Sequence, residues 1–358
     1  MNVHHSLFSS EKSPKKLNQN MLKIPSLLVA LLIFVASSKA QDEIAKPFNR
    51  GAGQFDYTAY QPLKDKPVTV FYYIPTKGDV TKMKILFSMH GAERSGMIQR
   101  GVWRNLAEKH GFIVIAPQFT HKNGYQENDY QFGGVSKTKK KFDLKPEEEW
   151  TYKIIESLFD YTKKLTGNKA KKYEMFGHSA GGQFVHRYLL MTPDARVNKA
   201  VAANPGNYTY PIDTKTYTLN NTEIETADWP YSLYNTPFAS KQRLAAYFKK
   251  ELVVVIGAAD TASTKTIDKS PLANLVISQG NNRYERAQNY YNFCKALAAQ
   301  NKLKFNWILF EVPNAGHSST QIVHGNPNIK AKKIENNEQV YQIPDLKEGG
   351  VFHLLFGQ

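Results

Sequence analysis

Gly177-His178-Ser179-Ala180-Gly181 sets a serine between two glycines with one residue on each side. That is the G-x-S-x-G spacing of a nucleophile carried on a tight strand-to-helix turn. The pentapeptide alone is a weak signal, so its context decides. The apolar stretch ending at Phe176 reads as a strand and Ala180 onward as a helix, which puts Ser179 on the required turn. Such a turn is crowded, so glycine is needed on both flanks. The predicted chemistry is acyl transfer, with the Ser179 hydroxyl attacking a carbonyl carbon. A serine hydroxyl is a poor nucleophile at neutral pH and needs a base, which in turn needs an acid to orient it.

Where a nucleophile sits on an elbow of this kind, the acid and then the histidine follow it in the chain. The histidines after Ser179 are His186, His317, His324 and His353. His186 falls within the helix after the elbow, with a packing or surface role, and His324 and His353 occupy a tail without strand context. His317 ends Pro313-Asn314-Ala315-Gly316-His317, a tight loop after a predicted strand over Phe305–Phe310. Asp260 follows the apolar run Leu252–Ile256 by way of Gly257-Ala258-Ala259 and is the expected acid, with Asp268 as the substitute. His90-Gly91-Ala92 follows the strand Met83–Met89, where half of an oxyanion hole is supplied. The expected donors are the backbone N–H groups of Ala180 and of Ala92 or Gly91.

Apolar strands alternating with amphipathic helices must position these groups. Val68–Ile74 reads as an outer antiparallel strand. Buried strands follow at Met83–Met89, Phe112–Ala116, Lys172–Phe176, Ala200–Ala203, Leu252–Ile256 and Phe305–Phe310, with helices over Ile98–His110, from Pro146 to Leu165, over Gly181–Met191 and over Tyr284–Gln300. That order predicts an α/β fold, a mostly parallel central sheet with helices on both faces. Residues 118–145 and 207–250 break the rhythm and read as insertions over the site. Their aromatics Tyr125, Tyr130, Trp229 and Tyr234 could wall a substrate pocket or anchor the loops, and the two readings weigh about equally.

The remaining segments frame this domain, taken as residues 66–322. Residues 1–40 contain Lys23, an apolar run from Ile24 to Ala36 and Ser38-Lys39-Ala40, the layout of a secretory leader cleaved after Ala40. Residues 1–20 would then be an upstream extension, with Met21 as an alternative start. The expected destination is the periplasm or the exterior, without a stable membrane anchor, because the apolar run is too short to span. Residues 41–65 form a lead-in and 323–358 a tail that packs on the domain or trails it. The single cysteine, Cys294, excludes an intramolecular disulfide, a multi-cysteine zinc site and an iron–sulfur cluster. The net charge of +16 is scattered. The run Lys137-Thr138-Lys139-Lys140-Lys141 lacks interleaved aromatics and any nucleic-acid motif, so no nucleic-acid partner is expected.

With these residues placed, the chain resembles secreted esterases of the α/β-hydrolase fold, of the poly(3-hydroxybutyrate)-depolymerase-like and feruloyl-esterase-like kind. The likeness runs from about Lys66 to Ile322. It rests on His90-Gly91-Ala92, the phrase from Gly177 to Arg187, Asn204-Pro205-Gly206, Gln279-Gly280 with Arg283, and the Pro-x-x-Gly-His around His317. The resemblance implies hydrolysis of a small or polymer-linked carboxylic ester through an acyl-enzyme, with no metal or organic cofactor. Many depolymerase relatives carry cysteine after the His-Gly pair, where this chain has Ala92. An amidase or acyltransferase on the same residues, or a non-catalytic binding protein on the same scaffold, are the alternatives. For Gln279 and Arg283 the favoured expectation is an ordinary helix-start role.

Overall fold

Strand β3 (Lys84–Met89) reads KILFSM, β4 (Phe112–Gln118) FIVIAPQ and β9 (Glu251–Gly257) ELVVVIG. Near-continuous apolar runs of this kind form where both faces of a parallel strand are covered. The computed structural model describes residues 44–138, 141–264, 273–326, 331–335, 338–341 and 350–357. The predicted leader and Asp268 lie outside the described residues. Among those residues the main sheet has 8 strands in the order β1-β2-β4-β3-β5-β6-β9-β10. The other members are β1 (Gly51–Tyr57), β2 (Val68–Ile74), β5 (Tyr173–His178), β6 (Val197–Ala203) and β10 (Ile308–Val312). From β4 through β10 every pairing is parallel, while β2 is antiparallel to both β4 and β1.

Strand alternation sends successive side chains to opposite faces. Ile85, Phe87, Ile113, Ile115, Met175 and Val254 enter one core, and Leu86, Val114, Phe176, Val201, Val253 and Val255 the other. The first is covered by α3 (Lys153–Thr166), α4 (Ala180–Met191), α5 (Lys241–Lys249) and α7 (Arg283–Gln300), and it also buries Cys294. The second is closed by α1 (Gly96–His110), α8 (Ser319–His324) and α9 (Val351–Phe356). Phe356 of α9 stacks on Phe112 with centroids 4.2 Å apart, so the described end of the tail packs on the domain. Helix α1 runs from Ser95, which accepts from the Ile98 N–H, to a left-handed Gly111.

Four features depart from the sequence reading. Residues 51–57 of the expected lead-in form the edge strand β1, in full register with β2. The helix expected to open at Pro146 is a 3-10 turn over Glu147–Glu149, and α3 starts only at Lys153. Trp150 is buried against Phe238, and its extended backbone breaks the helical run. The strand expected over Phe305–Phe310 starts at Ile308, because Phe305 and Trp307 pack into an aromatic cluster with Tyr247 and Phe248. The insertions also carry structure of their own. The first holds the short helix α2 (Glu127–Tyr130), and the second a hairpin of β7 (Thr216–Leu219) and β8 (Thr222–Glu225) as well as α5. A further short helix, α6 (Ala273–Ile277), precedes α7.

Candidate active site

The turn between β5 and α4 holds Ser179 at φ 57°, a left-handed value that L side chains rarely take. Its neighbours impose it. The Ser179 N–H is bonded to the Ala203 carbonyl at 2.9 Å, and α4 approaches the sheet so closely that a Cβ on Gly181 would collide with the Met89 carbonyl. Gly177 is held likewise against the Gly181 carbonyl. The glycines on both sides of the serine are therefore a steric requirement of the elbow.

Asp260 and His317 reach the same sheet edge from the C-terminal ends of β9 and β10. The two loops are tied by the Ala259 N–H to the Ala315 carbonyl at 2.9 Å. Gln321 of α8 accepts from the Gly316 N–H at 2.9 Å and steadies the turn before His317. His317 Nδ1 lies 2.7 Å from Asp260 Oδ2, and His317 Nε2 lies 3.0 Å from Ser179 Oγ. An ionised carboxylate only accepts, so Nδ1 carries the proton and Nε2 is left to accept from the serine hydroxyl.

Asp260 is 3% exposed and fully engaged. Asn204 Nδ2 donates to Oδ2 at 2.6 Å, and Arg283 Nη1 donates to Oδ1 at 3.2 Å. Burial by itself would raise its pKa. The bond and charge of His317, the Asn204 amide and the Arg283 cation outweigh burial and hold it at about 2. Arg283 is thus more than the helix-start residue expected. From the first turn of α7 it reaches the acid, while Gln279 clamps the backbone of Tyr208 with both ends of its amide, at 2.9 Å each. No local pattern signals the roles of Asn204 and Arg283. Only their place in the family-like phrases pointed to them.

Two buried histidines flank this chain of bonds. His178, inside the pentapeptide, packs its ring 4.6 Å from that of His317. Burial, and then the neighbouring His317, push its pKa down to about 3, so it is neutral at ordinary pH. His90 is likewise lowered to about 3, chiefly by burial. Its Nε2 accepts from the Phe119 N–H at 3.0 Å, so Nδ1 is the protonated nitrogen and donates to the Gly91 carbonyl at 2.9 Å. His90 is therefore a brace for its loop.

Ala180 is the first residue of α4, so its N–H has no acceptor within the helix. Ala92 is exposed on the loop after β3. The Gly91 N–H, the other expected donor, is engaged by Glu93 Oε1 at 2.9 Å, which corrects that alternative. Tyr125 and Tyr130 are also corrected as pocket walls, since both are fully buried. Tyr130 stacks on His90, donates to the His90 carbonyl at 2.7 Å and carries the Arg94 guanidinium on its ring. Tyr125 donates to the Lys66 carbonyl at 2.7 Å. Trp229 and Tyr234 do line a cavity, and Ser179 is not among its described lining residues. His186 and His324 are both buried, and the described residues hold no cluster that could bind a metal.

A serine on a strand–turn–helix elbow, with a histidine and an acid supplied by later strand ends of a mostly parallel sheet, defines an α/β-hydrolase. Poly(aspartic acid) hydrolase-1 from Sphingomonas sp. KT-1 is 33% identical to this chain, with a TM-score of 0.67 over 76% of this chain and 96% of that one. A poly(3-hydroxybutyrate) depolymerase from Bordetella parapertussis is 27% identical, with the same TM-score over 76% of this chain and 88% of its own. No protein-family model matches the chain, and no curated protein does. The chain belongs to the depolymerase-like family of α/β-hydrolases and is a hydrolase.

Proposed function

We propose that the protein is a serine esterase that cleaves carboxylic esters through an acyl-enzyme, with Ser179, His317 and Asp260 as its catalytic triad. One observation carries this reading, the continuous chain of bonds from Asp260 Oδ2 through His317 to Ser179 Oγ, at 2.7 and 3.0 Å. As Ser179 Oγ bonds to the ester carbon, its proton passes to His317 Nε2, and Asp260 balances the imidazolium. The N–H groups of Ala180 and Ala92 hold the oxyanion. Collapse breaks the carbon–oxygen bond, and His317 gives its proton to the departing alcohol. Water then repeats the sequence on the acyl-Ser179 ester and releases the acid. The leader suggests export, with cleavage after Ala40. N-terminal sequencing of the protein recovered from culture medium or periplasm should then begin at Gln41.

The esterase test is hydrolysis of p-nitrophenyl acyl esters by folded protein against a Ser179→Ala control. Turnover at the control's rate would end the proposal. A second reading is amide hydrolysis on the same residues, favoured by the 33% identical neighbour whose name makes poly(aspartic acid), a polyamide, its substrate. Matched ester and amide pairs separate the two readings, since faster cleavage of the amide would select the second.

A further inference from the structure

The loop after β3 places a carboxylate beside the oxyanion donor proposed above. Glu93 is exposed and follows Ala92 directly. Its Oε1 accepts the Gly91 N–H at 2.9 Å, so the side chain folds back over its own loop. Consecutive backbone nitrogens are at most about 3.7 Å apart, which puts that oxygen within about 7 Å of the Ala92 nitrogen. The fit is close, since a Cβ on Gly91 would collide with Glu93 Oε2.

By its charge alone, an anion at this place opposes the negative charge that builds on the attacked oxygen. Its neighbour Arg94 turns inward, with Nη1 on the carbonyls of Phe119 and Tyr125. What Glu93 contributes is therefore sought in its bond. The Gly91 carbonyl accepts from His90 Nδ1 at 2.9 Å and from the Arg94 N–H at 3.2 Å. The Gly91–Ala92 peptide is trans, so the Ala92 N–H points away from that carbonyl and its two donors. Those two bonds hold the peptide after Gly91, and Glu93 holds the peptide before it. With both fixed, rotation about Gly91 can no longer swing the Ala92 N–H, and the Gly91 N–H is withdrawn as a competing donor.

We propose, on the esterase reading above, that Glu93 is a positioning residue of the oxyanion hole, fixing Gly91 so that the Ala92 N–H meets the developing charge. Bond and charge predict opposite signs. Losing the bond lowers kcat, whereas losing the charge alone raises it.

The first test is steady-state hydrolysis of a p-nitrophenyl ester. Because Glu93 is exposed, its replacement spares the core. Glu93→Ala should lower kcat roughly tenfold, a fraction of what a whole oxyanion donor is worth, with KM little changed. Glu93→Gln keeps an acceptor oxygen and should restore kcat. Gly91→Ala, which displaces the carboxylate from the other side, should reproduce the loss. The second test needs no turnover. In Ser179→Ala protein, NMR should show the Gly91 N–H exchanging with solvent about tenfold faster after Glu93→Ala, and at the unaltered rate after Glu93→Gln. An unchanged kcat in Glu93→Ala, an equal change in the alanine and glutamine variants, or unaltered Gly91 exchange would each overturn the proposal. Failure of the esterase reading would show separately, as turnover by the unsubstituted protein no faster than that of Ser179→Ala.

Discussion

Asp260 has three partners where orienting one imidazole would require a single acceptor oxygen. Two act on its charge as well as its position, which makes Asp260 a fixed anion over any working pH. Its stability contribution follows from the depressed pKa. It is fully present above the ordinary carboxylate range and is lost as pH falls from about 4 through about 2. Replacing Ser179 or His317 by alanine should cost on the order of 10⁶ in kcat, and Asp260→Asn about 10⁴. Steady-state kinetics with one p-nitrophenyl ester checks all three. Arg283→Ala should lower kcat about tenfold with little change in KM, and Arg283→Lys should recover most of the loss, because a charge rather than a shape is what Asp260 needs. An unchanged kcat in the alanine variant would make Arg283 a helix-start residue after all. The three residues of the hydrogen-bond chain were legible because they follow strands at one sheet edge. Asn204 and Arg283 were not, since a side chain that meets its partner 56 or 23 residues away leaves no periodic trace.

At the scale of elements, the loop after β3 is built as carefully as the elbow. His90, Tyr130 and Arg94 form one stack that ties the loop to the first insertion. Arg94 Nη1 also bonds the carbonyls of Phe119 and Tyr125, each at 2.9 Å. Tyr130→Phe removes the donor to the buried His90 carbonyl. It should cost about 1 kcal/mol of stability and lower kcat more than it raises KM, as expected if the loop carrying Ala92 loosens. Chemical denaturation and kinetics on the same preparation read both effects. The central strands β3, β4, β5, β6 and β9 were readable from composition, because both of their faces are buried. Strand β1 was not, since GAGQFDY has little apolar content and gains its place only by pairing with β2. Likewise, aromatic content alone could not separate Tyr130, an anchor, from Trp229, a cavity wall. Whether an insertion aromatic faces inward depends on contacts that neither length nor period encodes.

Across the whole molecule, His90, His178, His186 and His324 are all buried, and burial is the leading cause that lowers the pKa of each. Unfolding exposes them to protonation at ordinary histidine values, so the unfolded state binds more protons below about pH 6.5. Stability must therefore fall as pH drops from that point toward 4, by up to about 1.4 kcal/mol per pH unit for each histidine. Thermal unfolding between pH 7 and 4.5 should show this loss, and His324→Asn should flatten the slope by about one proton. A melting temperature independent of pH across that range would contradict the assignment of neutral buried rings. The fold class was legible from the alternation of strand and helix, whereas the cavity between the insertions was not, because it is formed by segments about 100 residues apart.

The central claim is that Ser179 is an activated nucleophile, and a fluorophosphonate probe tests it most directly. Folded protein should be labelled at Ser179, as mapped by mass spectrometry of its peptides. Heat unfolding or the His317→Ala change should abolish the labelling. A folded protein that stays unlabelled, or one labelled at another serine, would contradict the account.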